Sequence, residues 1–336
     1  GSRLAVAEAV MNGTTTIGDD GNDLAPCVEF IDKIGARGNI SVRIRDAVNR
    51  RYLDGEVYDY KQELAEKNIA EFMDLYEKYH NKKNDRIRIR FGPQGCDFVS
   101  PESLAKIKEM AIKLDTKIHM HLQQDSREME QMTMRYGLRS IPFLDSIDYL
   151  DNYLIGIHLT ESTTKELELL VKRGVSAVYC PGSIGLILGI IAPGSEMRQL
   201  GGNVGLGSDQ SAGNNCHNMI NEMKLCSLFG KIKKGNGVDQ PAWESLRMAT
   251  IEGAKALGID DITGSITVGK TADIIFINLE DPSMNPVYTE PMRNFIPNLV
   301  YAAPGSIVDT VMVNGKLLME NRKPLTFNLE EVVEEA

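Results

Sequence analysis

The chain contains no C-x-x-C pair, and its five cysteines, Cys27, Cys96, Cys180, Cys216 and Cys226, are odd in number. That argues against both a closed disulfide framework and a cysteine-rich structural zinc site, and it reads as a reduced, cytoplasmic protein. An excess of basic residues is also missing: 37 Lys and Arg face 47 Asp and Glu, a formal net charge of −10. A nucleic acid or an anionic membrane would meet a repulsive surface, so neither is expected as a partner. No apolar run approaches the roughly 18 residues of a membrane-crossing helix. No secretory signal pattern is present either. "GSRLAVAEAVMNG" starts directly inside an amphipathic helical pattern without Met, and further sequence is expected upstream of it. Histidine is scarce, with five in 336 residues, so each position can be weighed separately.

What is present is an alternation. Short β-prone runs, "TTTIGDDG" (14–21), "ISVRIRDA" (40–47), "RIRIRFGP" (86–93), "TKIHMHL" (116–122), "YLIGIHL" (153–159), "VSAVYCP" (175–181) and "GNVGLGSD" (202–209), are separated by longer helical ones. The helical stretches include residues 24–38, 58–80, 100–114, 163–174 and 241–258. Ser100 suits an N-cap, with Pro101 at the first helical position and Glu102 in the first turn, and Gly174 suits a helix terminator. Seven strand–helix units in one direction predict a parallel sheet, and specifically a (β/α)₈ TIM-type barrel over residues 1–260 whose first strand lies upstream. Residues 261–336 change character. "GSITVGKTADIIFINL" (264–279) and "VDTVMVNGKLLMENRKPL" (308–325), with an Asn314-Gly315 turn, predict a small β-rich appendage.

In such a barrel the reactive groups sit at the C-terminal ends of strands. Counting an upstream first strand, His121 ends the fifth, His158 the sixth and Asp209 the eighth. Imidazole nitrogen and carboxylate oxygen are the ligands that catalytic zinc or iron takes. Any one histidine is more often a packing residue, so it is the coincidence of three strand ends that carries the reading. The other histidines receive plainer assignments. His119 is expected to pack on the face of its strand away from His121, and His80 to lie on the surface. His217 is read as a solvated helix residue, with substrate contact as its alternative. Asn214 and Asn215 read as caps of the following helix, and the strand arginines as partners of acidic helices or as groups at the barrel mouth.

The stretches "AEAVMNGTTTIGDDG", "IHMHLQQD", "GIHLTESTTKELELLVKRGVSAVYCPGS", "GNVGLGSDQSAGNNCHNMINEMKL", "ATIEGAKALG" and "GSITVGKTADIIFINL" resemble the amidohydrolase superfamily along essentially the whole chain. The similarity is to its metal-dependent aminohydrolase branch, which includes S-adenosylhomocysteine/methylthioadenosine deaminases, guanine and cytosine deaminases and triazine chlorohydrolases. The resemblance implies a hydrolase that removes an amino or similar group from a purine, pyrimidine or triazine with water activated by one divalent metal. Zinc is the expected metal, and iron accepts the same ligands. It implies His121 and Asp209 as metal ligands, Asp209 also as acceptor of the water's proton, and His158 as the group that orients the water or polarises the substrate. His158 is counted with His121 and Asp209 among the metal-binding residues as well. A small heterocyclic substrate and a homo-oligomeric state follow from the same resemblance.

Two departures stand out. The paired His-x-His ligands of the family's first strand are not in this sequence, so the residues present offer only part of a metal site. Three residues after His121, where the family's deaminases carry a proton-shuttling Glu, stands Gln124. An amide exchanges hydrogen bonds but does not shuttle protons. Three readings stay open: Asp125 or Glu128 substitutes as the acid, the reaction needs less protonation of the leaving group, or the barrel is a non-catalytic binding or assembly protein.

Overall fold

A computed structural model describes residues 1–82 and 85–336. Seven strands form one parallel sheet in sequential order: β1 (Thr16–Gly21), β2 (Arg37–Ile44), β3 (Ile87–Pro93), β4 (Ile118–Leu122), β5 (Leu154–His158), β6 (Ser176–Tyr179) and β7 (Val204–Leu206). Sequential order with a helical crossover after each strand is barrel winding, not the reversed order of a doubly wound sheet. Among the described residues β1 and β7 do not pair with each other.

The two faces of these strands differ in chemistry because successive side chains alternate. Ile40, Val42 and Ile44 on β2 and Ile87, Ile89 and Phe91 on β3 are buried towards the helices, and Phe91 stacks on Phe72 of the helix Gln62–Tyr79 at 3.7 Å. The alternate residues Asn39, Ser41, Arg43, Arg88 and Arg90 face the barrel interior. The strand arginines therefore divide. Arg43 reaches Asp20 inside the barrel at 2.6 Å, Arg86 pairs with Asp32 of the helix Ala25–Ile34 at 2.8 Å, and Arg90 is buried with its guanidinium on Asn39 and the Leu257 carbonyl.

Helix boundaries follow local chemistry. Ser100 caps Pro101–Lys113 by accepting from Ser103 N at 3.2 Å. Thr163 and Glu166 form a reciprocal capping box on Thr164–Arg173, which Gly174 ends at φ +76°. Three expectations are corrected. The helix expected over 24–38 ends at Ile34, because Gly35 turns left-handed at φ +88° and releases the chain into β2. The helix expected over 241–258 is two, Ala242–Met248 and Ile251–Ala256, separated by Thr250 at φ −126°, ψ −102°. His80 is half-buried rather than on the surface. It stacks on Tyr76 at 4.1 Å, accepts from Ile89 N at 3.1 Å, and burial pushes its pKa down to about 4.

A second, antiparallel sheet runs β11-β10-β9-β8, from β8 (Ile274–Ile277), β9 (Val308–Val313), β10 (Lys316–Glu320) and β11 (Lys323–Pro324). Of the β-prone run 264–279, Ile274–Ile277 is the part that pairs among the described residues. Asn314 and Gly315 close the β9–β10 hairpin at φ +50° and +76°, both left-handed as a two-residue turn requires. No described helix is long and apolar enough to cross a membrane.

Arg37, at the start of β2, ties the two sheets together. Its fork meets both oxygens of Asp273 at 2.7 and 3.1 Å, and both side chains are buried. Asp273 also receives the hairpin's Asn314 N at 2.7 Å. Removing one partner of a buried pair strands the other charge, which costs about 3–5 kcal/mol. Asp273→Ala is therefore expected to lower the urea-unfolding free energy by about 3 kcal/mol. A change below about 1 kcal/mol would show that the pair contributes no more than an exposed one.

Candidate active site

In a parallel sheet all strands discharge at the same edge, so His121, His158 and Asp209 emerge on one side of the barrel. The rings of His121 and His158 stack at 5.4 Å and 26°. Nε2 of His158 lies 4.0 Å from Oδ2 of Asp209. Three side chains separated by up to 88 positions in sequence thus converge, as the strand-end argument expects. His121 places Nδ1 2.9 Å from the Gln94 carbonyl. A carbonyl only accepts, so Nδ1 donates to it, and Nε2 is the ring nitrogen not used by this bond.

His158 departs from the strand pattern. It lies opposite Leu122 in the β4–β5 register, and alternation alone would send it outward with Leu122. Instead His158 adopts φ +75° and Leu159 φ +54°, and the imidazole reaches the inner face beside His121. Gln123 at φ +50° and Asp209 at φ +60° share this sparsely populated conformation. Such backbone persists only where the surroundings enforce it, and it clusters at working sites. His158 is buried, and neither ring nitrogen has a hydrogen-bond partner among the described residues. Burial first, then the His121 ring, push its pKa down to about 3, although Asp209 opposes the shift. It is therefore a neutral imidazole at physiological pH.

His119 does not point away from His121. Residues two apart on a strand share a face, and the two rings lie 5.8 Å apart. Burial and His121 push the His119 pKa down to about 3, so it is a second neutral imidazole inside the barrel.

The loop carrying Asp209 is held from below. Ser183 donates its hydroxyl to Asp209 Oδ2. Asn214 donates to the Ser208 carbonyl at 2.6 Å and to Glu222 Oε1 at 2.9 Å, and Gly182 N donates to Glu222 Oε2 at 2.9 Å. Glu222 is fully buried, and burial pushes its pKa up to about 7. A Cβ on Gly182 would come within 2.6 Å of Glu222 Oε1 and 2.7 Å of Asn214 Oδ1, so a larger residue there would displace these two side chains. His217 uses both ring nitrogens, on Ser208 Oγ at 3.0 Å and Ser211 Oγ at 2.7 Å. It latches this loop and has no nitrogen free for a substrate. The helix Met219–Lys234 is capped by Asn218, not by Asn214 or Asn215. Asn215 instead ends the short helix before it at φ +56°. Ser183, Gly182 and Glu222 were not singled out from the sequence. Their only signal there is the "CPGS" run, whose partner lies 40 residues further on.

Gln124 donates its backbone N–H to Glu128 Oε2 at 3.0 Å, while its side-chain amide has no partner among the described residues. The two carboxylates considered as replacement acids are engaged in building the loop. Asp125 caps Ser126–Tyr136 through Glu128 N at 3.1 Å. Glu128 is buried, takes the backbone N–H of Gln123 at 2.8 Å and the Ser140 hydroxyl, and is pushed up to about 8 by burial and by Asp97.

Among the described residues no three His, Cys, Asp or Glu side chains close into a ready-made metal cluster. The donors nonetheless fit a divalent ion. Two imidazoles and one carboxylate meet at the barrel mouth, one imidazole has both nitrogens buried without hydrogen-bond partners among the described residues, and the other is oriented by a backbone carbonyl as metal-bound histidines are.

Comparison with known proteins matches residues 1–318 to the Amidohydrolase family. A 5-methylthioadenosine/S-adenosylhomocysteine deaminase of Thermoanaerobacter pseudethanolicus is 34% identical over 99% of this chain and 73% of its own length. A 5'-deoxyadenosine deaminase of Methanosphaera stadtmanae is 34% identical over 100% of this chain and 75% of its own. Among solved structures, an adenosine deaminase from Xanthomonas campestris with bound zinc superposes with TM-score 0.88 at 25% identity, covering 99% of this chain and 72% of that one. The zinc-complexed atrazine chlorohydrolase of Arthrobacter aurescens superposes with TM-score 0.86 at 22% identity over 99% and 74%, a likeness of fold.

Proposed function

Because this chain belongs to the amidohydrolase family, we propose that it is a zinc-dependent deaminase that releases ammonia from the exocyclic amino group of an adenosine-type nucleoside. The observation that carries the reading is His158, a buried neutral imidazole without a hydrogen-bond partner among the described residues, set between the His121 ring and the Asp209 carboxylate. A divalent metal held by His121, His158 and Asp209 would lower the pKa of a water from about 15.7 to about 7. Asp209, its carboxylate aimed by the Ser183 hydroxyl, would accept the proton of the attacking water and return it to the amino group as the C–N bond breaks and ammonia leaves. His158 would orient that water or polarise the ring at the carbon under attack, the one that bears the amino group. The unengaged amide of Gln124 hydrogen-bonds the heterocycle without transferring a proton. The similarity to deaminases of 5-methylthioadenosine, S-adenosylhomocysteine and 5'-deoxyadenosine supports an adenine ring as the part recognised.

A second reading, a non-catalytic barrel that binds such a nucleoside, is favoured by Gln124 standing where the family's deaminases carry their acid. Ammonia release separates the two. Zinc-loaded protein is incubated with adenosine, 5'-deoxyadenosine, 5-methylthioadenosine and S-adenosylhomocysteine, with an aminopyrimidine and an aminotriazine alongside. Release that a chelator stops and zinc restores is expected with at least one nucleoside. Silence on every compound with zinc bound, together with measurable nucleoside binding, would favour the second reading.

A further inference from the structure

Between His121 and Gln124 lies a residue to which neither the family similarity nor the proposed chemistry assigns a role. Gln123 is fully buried at φ +50°. Its N–H donates to Glu128 Oε1 at 2.8 Å, and its carbonyl receives Glu161 N at 2.9 Å. Its side-chain Nε2 donates to Glu166 Oε1 at 2.7 Å, and its Oε1 receives the Ser162 hydroxyl at 2.6 Å. Three of these four bonds cross to the segment that follows His158. That segment is braced in turn: Arg139 donates to Glu166 Oε1 at 2.8 Å and to the Glu161 carbonyl at 2.6 Å, and Thr163 N donates to Glu166 Oε2 at 2.9 Å.

We propose that Gln123 is a positioning residue, which fastens the loop after β4, bearing Gln124, to the loop after β5, so that Gln124 and His158 keep a fixed spacing. It touches neither substrate nor metal and acts through its two neighbours. Both a donor and an acceptor are needed in this place, because Glu166 is a carboxylate that only accepts and the Ser162 hydroxyl donates. A buried side chain whose oxygen and nitrogen are both partnered resists the left-handed backbone's tendency to relax, and a misplacement of about 1 Å at a reacting centre costs about 10²-fold in rate. The proposal rests on His158 and Gln124 being site residues, as argued above.

The test exchanges donor and acceptor. Gln123→Glu sets two carboxylates against each other, whereas Gln123→Glu combined with Glu166→Gln restores a donor opposite an acceptor. Amide hydrogen exchange at Gln124 and Glu161 is expected to rise about tenfold in the single variant and to return to within about threefold of the parent in the double. The kcat per zinc is expected to fall about 10- to 100-fold with KM within about threefold, and to recover in the double. A purely structural role would lower the melting temperature and the folded fraction but leave kcat per zinc-loaded site unchanged. Ser162→Ala, which removes only the bond to Oε1, gives the same pattern at smaller amplitude and serves if Gln123→Glu does not fold. Unchanged exchange at both amides, or a double variant that folds but does not recover, would overturn the assignment. If the parent releases no ammonia at all, the exchange data still decide the role of Gln123, and the deaminase reading fails separately.

Discussion

Asp209→Asn is expected to lower kcat/KM for ammonia release by about 10⁴-fold while leaving the fold intact. The amide is isosteric and still accepts from the Ser183 hydroxyl, so the support from Ser183, Asn214 and Glu222 stays in place. What goes is the negative charge, and with it two functions at once. The group can no longer take the proton of the attacking water, a role worth about 10² to 10⁴ in rate, and it is a poorer ligand for a divalent ion. Steady-state kinetics are to be read beside zinc content and melting temperature. Activity within about tenfold of the parent, at equal zinc occupancy, would remove Asp209 from the base role.

Gln124→Glu is expected to raise deaminase kcat by about 10² to 10⁴-fold. The residue is well placed for the change. Its backbone is pinned by Glu128 at 3.0 Å, while its side chain has no partner among the described residues, so a carboxyl can enter without dismantling the loop. Asp125 and Glu128, the two other acids close by in sequence, are committed to the helix cap and to the loop's own N–H groups. The new carboxyl would therefore be the one proton donor this loop offers to a departing amine. A rate that stays level or falls, while Asp209→Asn still abolishes it, would show Gln124 to be fitted to a hydrolysis that needs no acid at this position.

How much of this was legible beforehand depends on the range of the interactions involved. Seven strands, their order and their direction follow from local patterning and from the winding rule, and all seven appear. The convergence of His121, His158 and Asp209 followed from the strand-end rule, which needs only approximate strand boundaries. The misreadings came from finer geometry. His119 was placed on the wrong face although a two-residue spacing keeps neighbours on one face. His158 reaches the site only because φ +75° overrides alternation, and no residue type announces a left-handed histidine. Glu222 meets Gly182 across 40 positions, and Arg37 meets Asp273 across 236. Such contacts exist only once the chain has folded. Asn218, not Asn214 or Asn215, caps its helix, because three asparagines in five residues all satisfy the capping preference and packing selects among them.

On the proposed reading, His121, His158 and Asp209 each contribute a ligand to a divalent metal beside the reacting water. Zinc titration of the parent and of His121→Ala, His158→Ala, Asp209→Ala and His217→Ala tests it most directly. Each of the first three substitutions is expected to weaken zinc binding by at least about 100-fold, and His217→Ala, whose nitrogens are both engaged by serines, to leave it within about threefold of the parent. Equal zinc affinity in all five proteins, or a loss in His217→Ala as large as in the others, would contradict the account.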